Sequence, residues 1–211
     1  MSPTNKFSER IASRLAALKQ RFTGNRATRS GNRPHSSLAG QPPSQRILFV
    51  CMGNICRSPL AEAISRGLAQ QQGLANTLDF DSAGTHGHLH HGSAPDQRAQ
   101  RVGARHGYDL SKMRARPVVA ADFDRFDHIL AMDAANLAEL KRHCPATSHG
   151  KLALFLDYAD SLDVKDVPDP YYGTEDGFER VLELCEQAAR GLLSRLANKK
   201  TGGTAVTDAP T

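Results

Sequence analysis

The segment that most constrains this chain is residues 51–58, which read Cys-Met-Gly-Asn-Ile-Cys-Arg-Ser. An apolar run at residues 47–50 precedes it, and a helical stretch beginning at Pro59 follows it. A loop between a strand and a helix N-terminus points backbone N–H groups inward, and the helix dipole favours negative charge there. This setting therefore predicts a phosphate-binding loop with a nucleophilic cysteine at its floor.

The side chains of this loop fit that chemistry. Gly53 permits a tight turn, and Asn54 tolerates the left-handed conformation that such loops often need. Arg57 presents a planar fork for two phosphate oxygens, which lysine could not copy. Ser58 can donate a hydrogen bond to the sulfur of Cys51, whose thiolate is the nucleophilic form. The predicted phosphate-binding residues are Met52, Gly53, Asn54, Ile55, Cys56 and Ser58. A strand-end cysteine with a chance arginine downstream would explain the spacing alone, but not the full string in its context.

A second candidate residue, Asp169, lies far downstream between Pro168 and Pro170. The two prolines fix the backbone on both sides of the carboxyl group. Asp169 is therefore predicted to protonate the leaving group and then to activate water. The alternative is an ordinary Asp-Pro turn, which is common in proteins.

The pattern after residue 46 alternates strand and helix. Apolar runs at residues 47–51, 78–83, 128–132 and 152–156 indicate buried parallel strands, and helical patterns lie near residues 59–73, 95–106, 133–142 and 175–197. This order predicts an α/β fold: a single domain with a four-stranded parallel sheet flanked by helices on both faces. The phosphate loop then lies at the carboxyl end of the first strand, where such sheets bind ligands.

Taken together, these segments resemble low-molecular-weight protein tyrosine phosphatases. The matching pieces lie in family order and cover about residues 46–197: residues 51–59, 81–85, 106–111, 123–133 and 169–173. The resemblance implies Cys51 as nucleophile, Arg57 as transition-state clamp and Asp169 as acid. It further implies that Asn54 and Ser82 support the loop.

The resemblance also implies features of regulation and substrate binding. Tyr171 and Tyr172 would flank the aromatic ring of the substrate, and both can themselves be phosphorylated. Cys56 would form a disulfide with Cys51 under oxidation. The implied reaction is hydrolysis of phosphotyrosine through a phosphocysteine intermediate, and no cofactor or metal is expected.

Two departures from the family pattern stand out. Many members carry a histidine that braces the loop asparagine, and residues 112–114 read Lys-Met-Arg here, so this brace is expected to be altered or absent. Many members also place an aromatic residue on the wall of the substrate cavity, where this chain has a histidine-rich segment that is one residue longer. The wall residue is either His88 or Leu89.

Basic charge is concentrated at the N-terminus. Residues 1–46 carry nine Lys or Arg against one Glu, a charge of +8, which leaves −3 for the remainder of a chain whose formal net charge is +5. We predict a basic extension over residues 1–45, with an amphipathic helix at 7–22 and then a disordered linker. The helix suits an anionic membrane or an acidic partner, and it also resembles a transit peptide or a solvated extension without function. Nucleic-acid binding is not expected.

The other composition signals concern the compartment and the tail. No run of about 20 apolar residues is present, so no membrane span is expected. Four cysteines without a spaced framework favour a reducing, cytoplasmic compartment, and Cys144 and Cys185 are interpreted as core residues. Residues 198–211 are predicted to be a disordered tail. The histidines at 86, 88, 90 and 91 are interpreted as a surface loop in preference to a metal site.

Three other functions share features with this pattern. An arginine phosphatase of the same fold tends to carry threonine at the position of Ile55. A thiol-coupled arsenate reductase needs a relay cysteine near Met132, and Cys144 alone cannot replace it. An adaptor that binds phosphorylated partners usually lacks the nucleophile or the acid, and both are present here. For a bacterial source, the resemblance suggests a tyrosine kinase of polysaccharide export as the substrate.

Overall fold

The sheet follows the predicted alternation of strands and helices. The computed structural model describes residues 45–160 and 162–201, so the predicted helix at 7–22 and its linker lie outside the described residues. Four parallel strands form one sheet in the order β2-β1-β3-β4. Their bounds are β1 Gln45–Cys51, β2 Leu78–Gly84, β3 His128–Ala131 and β4 Leu152–Leu154. The predicted α/β class and four-stranded parallel sheet are confirmed.

The helices connect these strands in the expected order. They are α1 Arg57–Gln71, α2 Gln97–Arg105, α3 Ala120–Arg125, α4 Ala134–His143 and α5 Glu175–Thr201. Short 3-10 turns lie at Gly87–His90, Ala146–Lys151 and Phe155–Tyr158. Aspartates begin two of the helices, since the side chains of Asp96 and Asp133 accept hydrogen bonds from the first turns of α2 and α4. None of the helices in the described residues is long and apolar enough to cross a membrane.

Strand β1 has a hydrophobic core on each of its faces. Ile47 and Phe49 pack with α1 and α5, whereas Leu48 and Val50 pack on the opposite face beside residues of α3 and α4. All four side chains are fully buried, and each contributes about 1.5–3 kcal/mol of hydrophobic stabilisation. This alternation along one strand explains why the apolar run is continuous, and it confirms helices on both faces.

Several element bounds differ from the prediction. The last predicted strand was wrong at residues 155–156, because β4 ends at Leu154 and a 3-10 turn begins at Phe155. Phe155 and Leu156, the first two residues of that turn, are buried, so the apolar run continues past the end of the strand. Helix α3 was not predicted, and α5 continues to Thr201, beyond the predicted end at 197.

The strand order positions the functional loop. From β1 the chain crosses to β2 on one side, and it later returns to β3 on the other side of β1. Ligands bind in open α/β sheets at such a switch point, outside the carboxyl ends of the strands. The loop between Cys51 and Arg57 lies at this point.

Candidate active site

The backbone of the phosphate loop places Cys51 at its floor. Cys51 ends β1 and is 2 % exposed, and α1 begins at Arg57. Asn54 has a φ of 59°, the one positive value among non-glycine residues in the described part of the chain. Gly53 is not in that conformation. A Cβ atom there would lie 3.0 Å from the imidazole Cδ2 of His90, so this position is small because a side chain packs against it.

Two donors approach the sulfur of Cys51. Ser58 Oγ lies 3.0 Å from Sγ, and the backbone N–H of Asn54 donates to Sγ at 3.2 Å. The sulfur also lies beside the N-terminus of α1, where negative charge is favoured. Hydrogen bonds to an ionised acceptor are stronger than those to a neutral one, so this geometry suits a thiolate.

Asn54 is braced on every side by hydrogen bonds. Its Nδ2 donates to Ser58 Oγ at 3.0 Å and to Ser82 Oγ at 2.9 Å, and its Oδ1 accepts from the backbone N–H of Arg116 at 2.9 Å. The brace is therefore altered, which is one of the two expected outcomes, and it is not absent: a backbone N–H takes the place of the histidine side chain. Ser82 contacts Asn54 as the resemblance implied.

The brace continues into helix α1 through Glu62, which sequence reasoning missed. Ser82 Oγ donates to Glu62 Oε2 at 2.7 Å, and Glu62 forms an ion pair with Arg66 at 2.7 Å. Burial raises the pKa of Glu62, and the opposing effects of Arg66 and Ser82 do not cancel this rise. A glutamate four residues before an arginine suggests only a surface pair, so the burial could not be read from the pattern.

Arg57 bridges the two loops of the site. Its Nη1 donates to Asp133 Oδ2 at 2.5 Å and to the carbonyl of Val167 at 3.2 Å, and its Nη2 donates to Asp169 Oδ2 at 2.9 Å. Burial lowers the pKa of Arg57, but Cys51, Asp169 and Asp133 outweigh it, and the net pKa is raised. Arg57 is 3 % exposed and its guanidinium is charged, so it is a buried cation that interacts with Cys51.

Asp133 is a second residue that sequence reasoning missed as a site residue. Its Oδ1 accepts from the backbone N–H of Asn136, which caps α4, while its Oδ2 holds Arg57. The signal was its position two residues after the end of β3, at the same sheet edge as the phosphate loop.

The predicted acid residue lines the same cavity as the cysteine. Asp169 is half-exposed, and its Oδ1 accepts from the backbone N–H of Tyr171 at 3.2 Å. The loop is joined to the sheet by a hydrogen bond from the backbone N–H of Val167 to the carbonyl of Met132 at 2.8 Å. The structure thus brings the carboxyl group of Asp169 to the phosphate loop, 112 residues after Arg57.

These residues surround a cavity of about 250 Å³. Its lining comprises Cys51, Met52, Gly53, Ile55, Cys56, Arg57, Leu89, His90, Asp169, Tyr171 and Tyr172. Of the two alternatives for the wall, Leu89 lines this cavity, whereas His88 lines a different cavity of about 310 Å³ that contains no cysteine. His90 also forms the wall and was not predicted. Asn54, Ser58 and Ser82 are not among the residues that line the cavity, and Asn54 donates hydrogen bonds to both serines.

The last candidate groups are the remaining cysteines and the metal-ligating side chains. All four cysteines are free, and Cys144 and Cys185 lie in the cores as expected. Burial raises the pKa of Cys56, and Asp96 adds to this effect. Among residues 45–160 and 162–201, no group of three or more His, Cys, Asp or Glu could hold a metal ion.

Comparisons with known proteins match the same region. The model of the low molecular weight phosphotyrosine protein phosphatase family matches residues 46–202. The chain belongs to this family. A low molecular weight protein-tyrosine-phosphatase of Bacillus subtilis is 42 % identical over 154 residues, which cover 73 % of this chain and 97 % of that protein. The human low molecular weight phosphotyrosine protein phosphatase is 40 % identical over 154 residues, or 72 % of this chain and 96 % of that protein.

Solved structures agree with these relatives. A protein tyrosine phosphatase of Entamoeba histolytica, with Hepes in its active site, is 42 % identical, covers 74 % of this chain and 99 % of its own, and has a TM-score of 0.72. The predicted family and enzyme class, a protein tyrosine phosphatase and hence a hydrolase, are confirmed. Residues 1–45 of this phosphatase lie outside the family match.

Proposed function

We propose that this phosphatase hydrolyses phosphotyrosine in proteins through a phosphocysteine formed on Cys51. The observation that carries the proposal is the arrangement of three groups around one cavity. Cys51, Arg57 and Asp169 all line it, and Asp169 Oδ2 lies 2.9 Å from Nη2 of Arg57.

In the first step, the Cys51 thiolate attacks phosphorus in line with the leaving oxygen. The S–P bond forms as the P–O bond to the tyrosine breaks, and the Asp169 carboxyl group gives its proton to the tyrosyl oxygen. The Arg57 fork binds two phosphate oxygens and exchanges its contact with Asp169 for the phosphate. Asp133 keeps its own contact with Nη1 and so holds the guanidinium in place.

In the second step, the Asp169 carboxylate takes a proton from water. That water attacks phosphorus, the S–P bond breaks, and the cysteine leaves as a thiolate. Ser58 Oγ, 3.0 Å from the sulfur, donates to the leaving thiolate, and the loop amides stabilise the phosphoryl oxygens in both steps.

The cavity favours an aromatic leaving group. Its walls bring Leu89, His90 and Tyr171 around a sulfur at the floor, so a short phosphoserine would leave its phosphate out of reach. Ile55 contributes an apolar surface, which disfavours a phosphoarginine substrate. The buried Met132 stands where an arsenate reductase would carry a relay cysteine.

The proposal extends to the cellular setting. We place the enzyme in the cytoplasm, acting on phosphotyrosine proteins, with a bacterial tyrosine kinase as a substrate if the source is bacterial. Residues 7–22 would contact an anionic membrane or an acidic partner. Cys56 would protect Cys51 through a reversible disulfide under oxidation.

The test is phosphate release from a phosphotyrosine peptide and, in parallel, from a phosphoarginine peptide, without added metal at about pH 6. Preferential, vanadate-sensitive release from phosphotyrosine is expected, and Cys51→Ser should abolish it. Substantial turnover by Cys51→Ser would refute the mechanism. Release mainly from phosphoarginine would overturn the argument from Ile55.

A further inference from the structure

Arg98, in the first turn of α2, holds the loop that carries Asp169. Its Nη1 donates to the carbonyl of Gly173 at 2.9 Å, and its Nη2 donates to the carbonyl of Tyr171 at 3.0 Å. Both carbonyls lie just after Asp169 in the chain. One guanidinium therefore binds two backbone groups of the acid loop.

The same guanidinium is joined to the phosphate loop through Asp96. Arg98 donates to the Asp96 carboxylate from Nε at 3.0 Å and from Nη2 at 2.7 Å. The backbone N–H of Asp96 donates in turn to the carbonyl of Ile55 at 2.8 Å. A continuous set of hydrogen bonds thus runs from the nucleophile's loop, through Asp96 and Arg98, to the acid's loop.

Aromatic packing fixes the orientation of this guanidinium. It lies over the ring of Phe178 at 4.7 Å and over the ring of Tyr171 at 6.0 Å. A lysine could keep the charge but could not bind two carbonyls and a carboxylate from one plane. The residue type therefore matters as well as the charge.

We propose that Arg98 is a positioning residue that sets the Asp169 carboxyl group against the leaving oxygen by tying the acid loop to the phosphate loop. The inference rests on the proposed function of Asp169. The prolines beside Asp169 restrict its local backbone, but they do not fix the distance between its loop and Cys51. The hydrogen bonds of Val167 with Arg57 and Met132 hold this loop before Asp169, and the set through Arg98 holds it after Asp169.

The consequence is a loss that depends on the leaving group. A misplaced acid slows expulsion of a basic phenoxide, whereas a weakly basic phenoxide leaves without its proton. In Arg98→Met, we expect kcat/KM for phenyl phosphate to fall about 10- to 30-fold, and that for dinitrophenyl phosphate to fall less than about 3-fold. Arg98→Lys should restore part of the loss. The ratio of the two kcat/KM values within one variant does not depend on the fraction that is folded.

The matched control is Arg101→Met. Arg101 lies one turn further along α2 and pairs with Glu175 at 2.8 Å rather than with the acid loop. We expect it to leave both kcat/KM values within about 2-fold of the wild type. An equal loss on both substrates in Arg98→Met, or the same leaving-group dependence in Arg101→Met, would overturn the proposal.

A double-variant cycle separates positioning from a general structural effect. Asp169→Asn cannot donate the proton, so Arg98→Met in that background should cost less than about 2-fold on phenyl phosphate. A full 10-fold loss there would show that Arg98 acts independently of Asp169 and would refute the inference. A wild-type enzyme without activity on either aryl phosphate would instead refute the proposed function.

Discussion

Ser82 joins the phosphate loop to helix α1, so its removal should have a measurable cost. Its Oγ accepts from Asn54 Nδ2 at 2.9 Å and donates to Glu62 Oε2 at 2.7 Å. Ser82→Ala removes both hydrogen bonds. One N–H of Asn54, a residue only 2 % exposed, then has no acceptor, and a buried carboxylate loses a donor.

The magnitude follows from these two losses. A hydrogen bond to a charged group contributes about 1.5–3 kcal/mol, and a buried polar group left unpaired costs about 1–3 kcal/mol. With partial relaxation of the loop, we expect the free energy of unfolding to fall by about 2–4 kcal/mol. Since Asn54 holds a φ of 59°, loss of its brace should also let the loop relax, and kcat should fall about 10-fold or more.

Ser65→Ala is the matched control. Ser65 is also buried and lies in α1, but its Oγ has no hydrogen-bond partner among the residues that the structure describes. Removing an unpaired hydroxyl group from a helix should leave the free energy of unfolding unchanged or raise it by up to about 1 kcal/mol. Urea denaturation at neutral pH and turnover of an aryl phosphate would measure both variants. If Ser82→Ala lost no more stability than Ser65→Ala, the reasoning would be refuted.

The remaining predictions concern pH, packing and oxidation. Burial raises the pKa of Glu62 above its ordinary value of 4.5, so the folded protein keeps this proton at pH values where the unfolded chain has lost it. The free energy of unfolding should therefore fall as the pH rises above 4.5. Denaturation at several pH values should show a smaller fall for Glu62→Gln than for the wild type. Gly191→Ala would place a Cβ atom 1.8 Å from the carbonyl oxygen of Tyr158, and thermal denaturation should show a loss of about 3 kcal/mol or more. Peroxide should convert Cys51 to a sulfenic acid that condenses with the Cys56 thiol and releases water, so thiol treatment should restore the wild type but not Cys56→Ser; equal recovery would contradict the disulfide.

The phosphate loop could be predicted because its residues are contiguous. Strand, cysteine, turn, arginine and helix occur in one short string, and local physics dictates where each group points. The β1 core was equally readable, since a continuous apolar run is typical of a strand that is buried on both faces. The strand prediction was wrong where a buried apolar residue does not lie in a strand, as at Phe155, which is fully buried in a 3-10 turn.

The loop brace shows a different limit. Residues 112–114 read Lys-Met-Arg in place of a histidine, so the support of Asn54 was predicted to be altered or absent, and it is altered. The structure uses the backbone N–H of Arg116 instead, and the carbonyl of Ser111 accepts from Arg114. Every residue except proline carries a backbone N–H, so no pattern of side chains can identify this donor.

The two halves of the site are therefore fixed in different ways, and this decides which could be predicted. The nucleophile is held by backbone geometry, between a central strand and a helix. The acid lies in a long connection between the Phe155–Tyr158 turn and α5, and the described residues of this connection form no strand. Its position depends on two arginine side chains, Arg57 and Arg98, that come from other elements and bind its loop. Such partners are set by tertiary contacts, so substitutions at these arginines should shift proton transfer to the leaving group more readily than substitutions along the acid loop's own exposed surface.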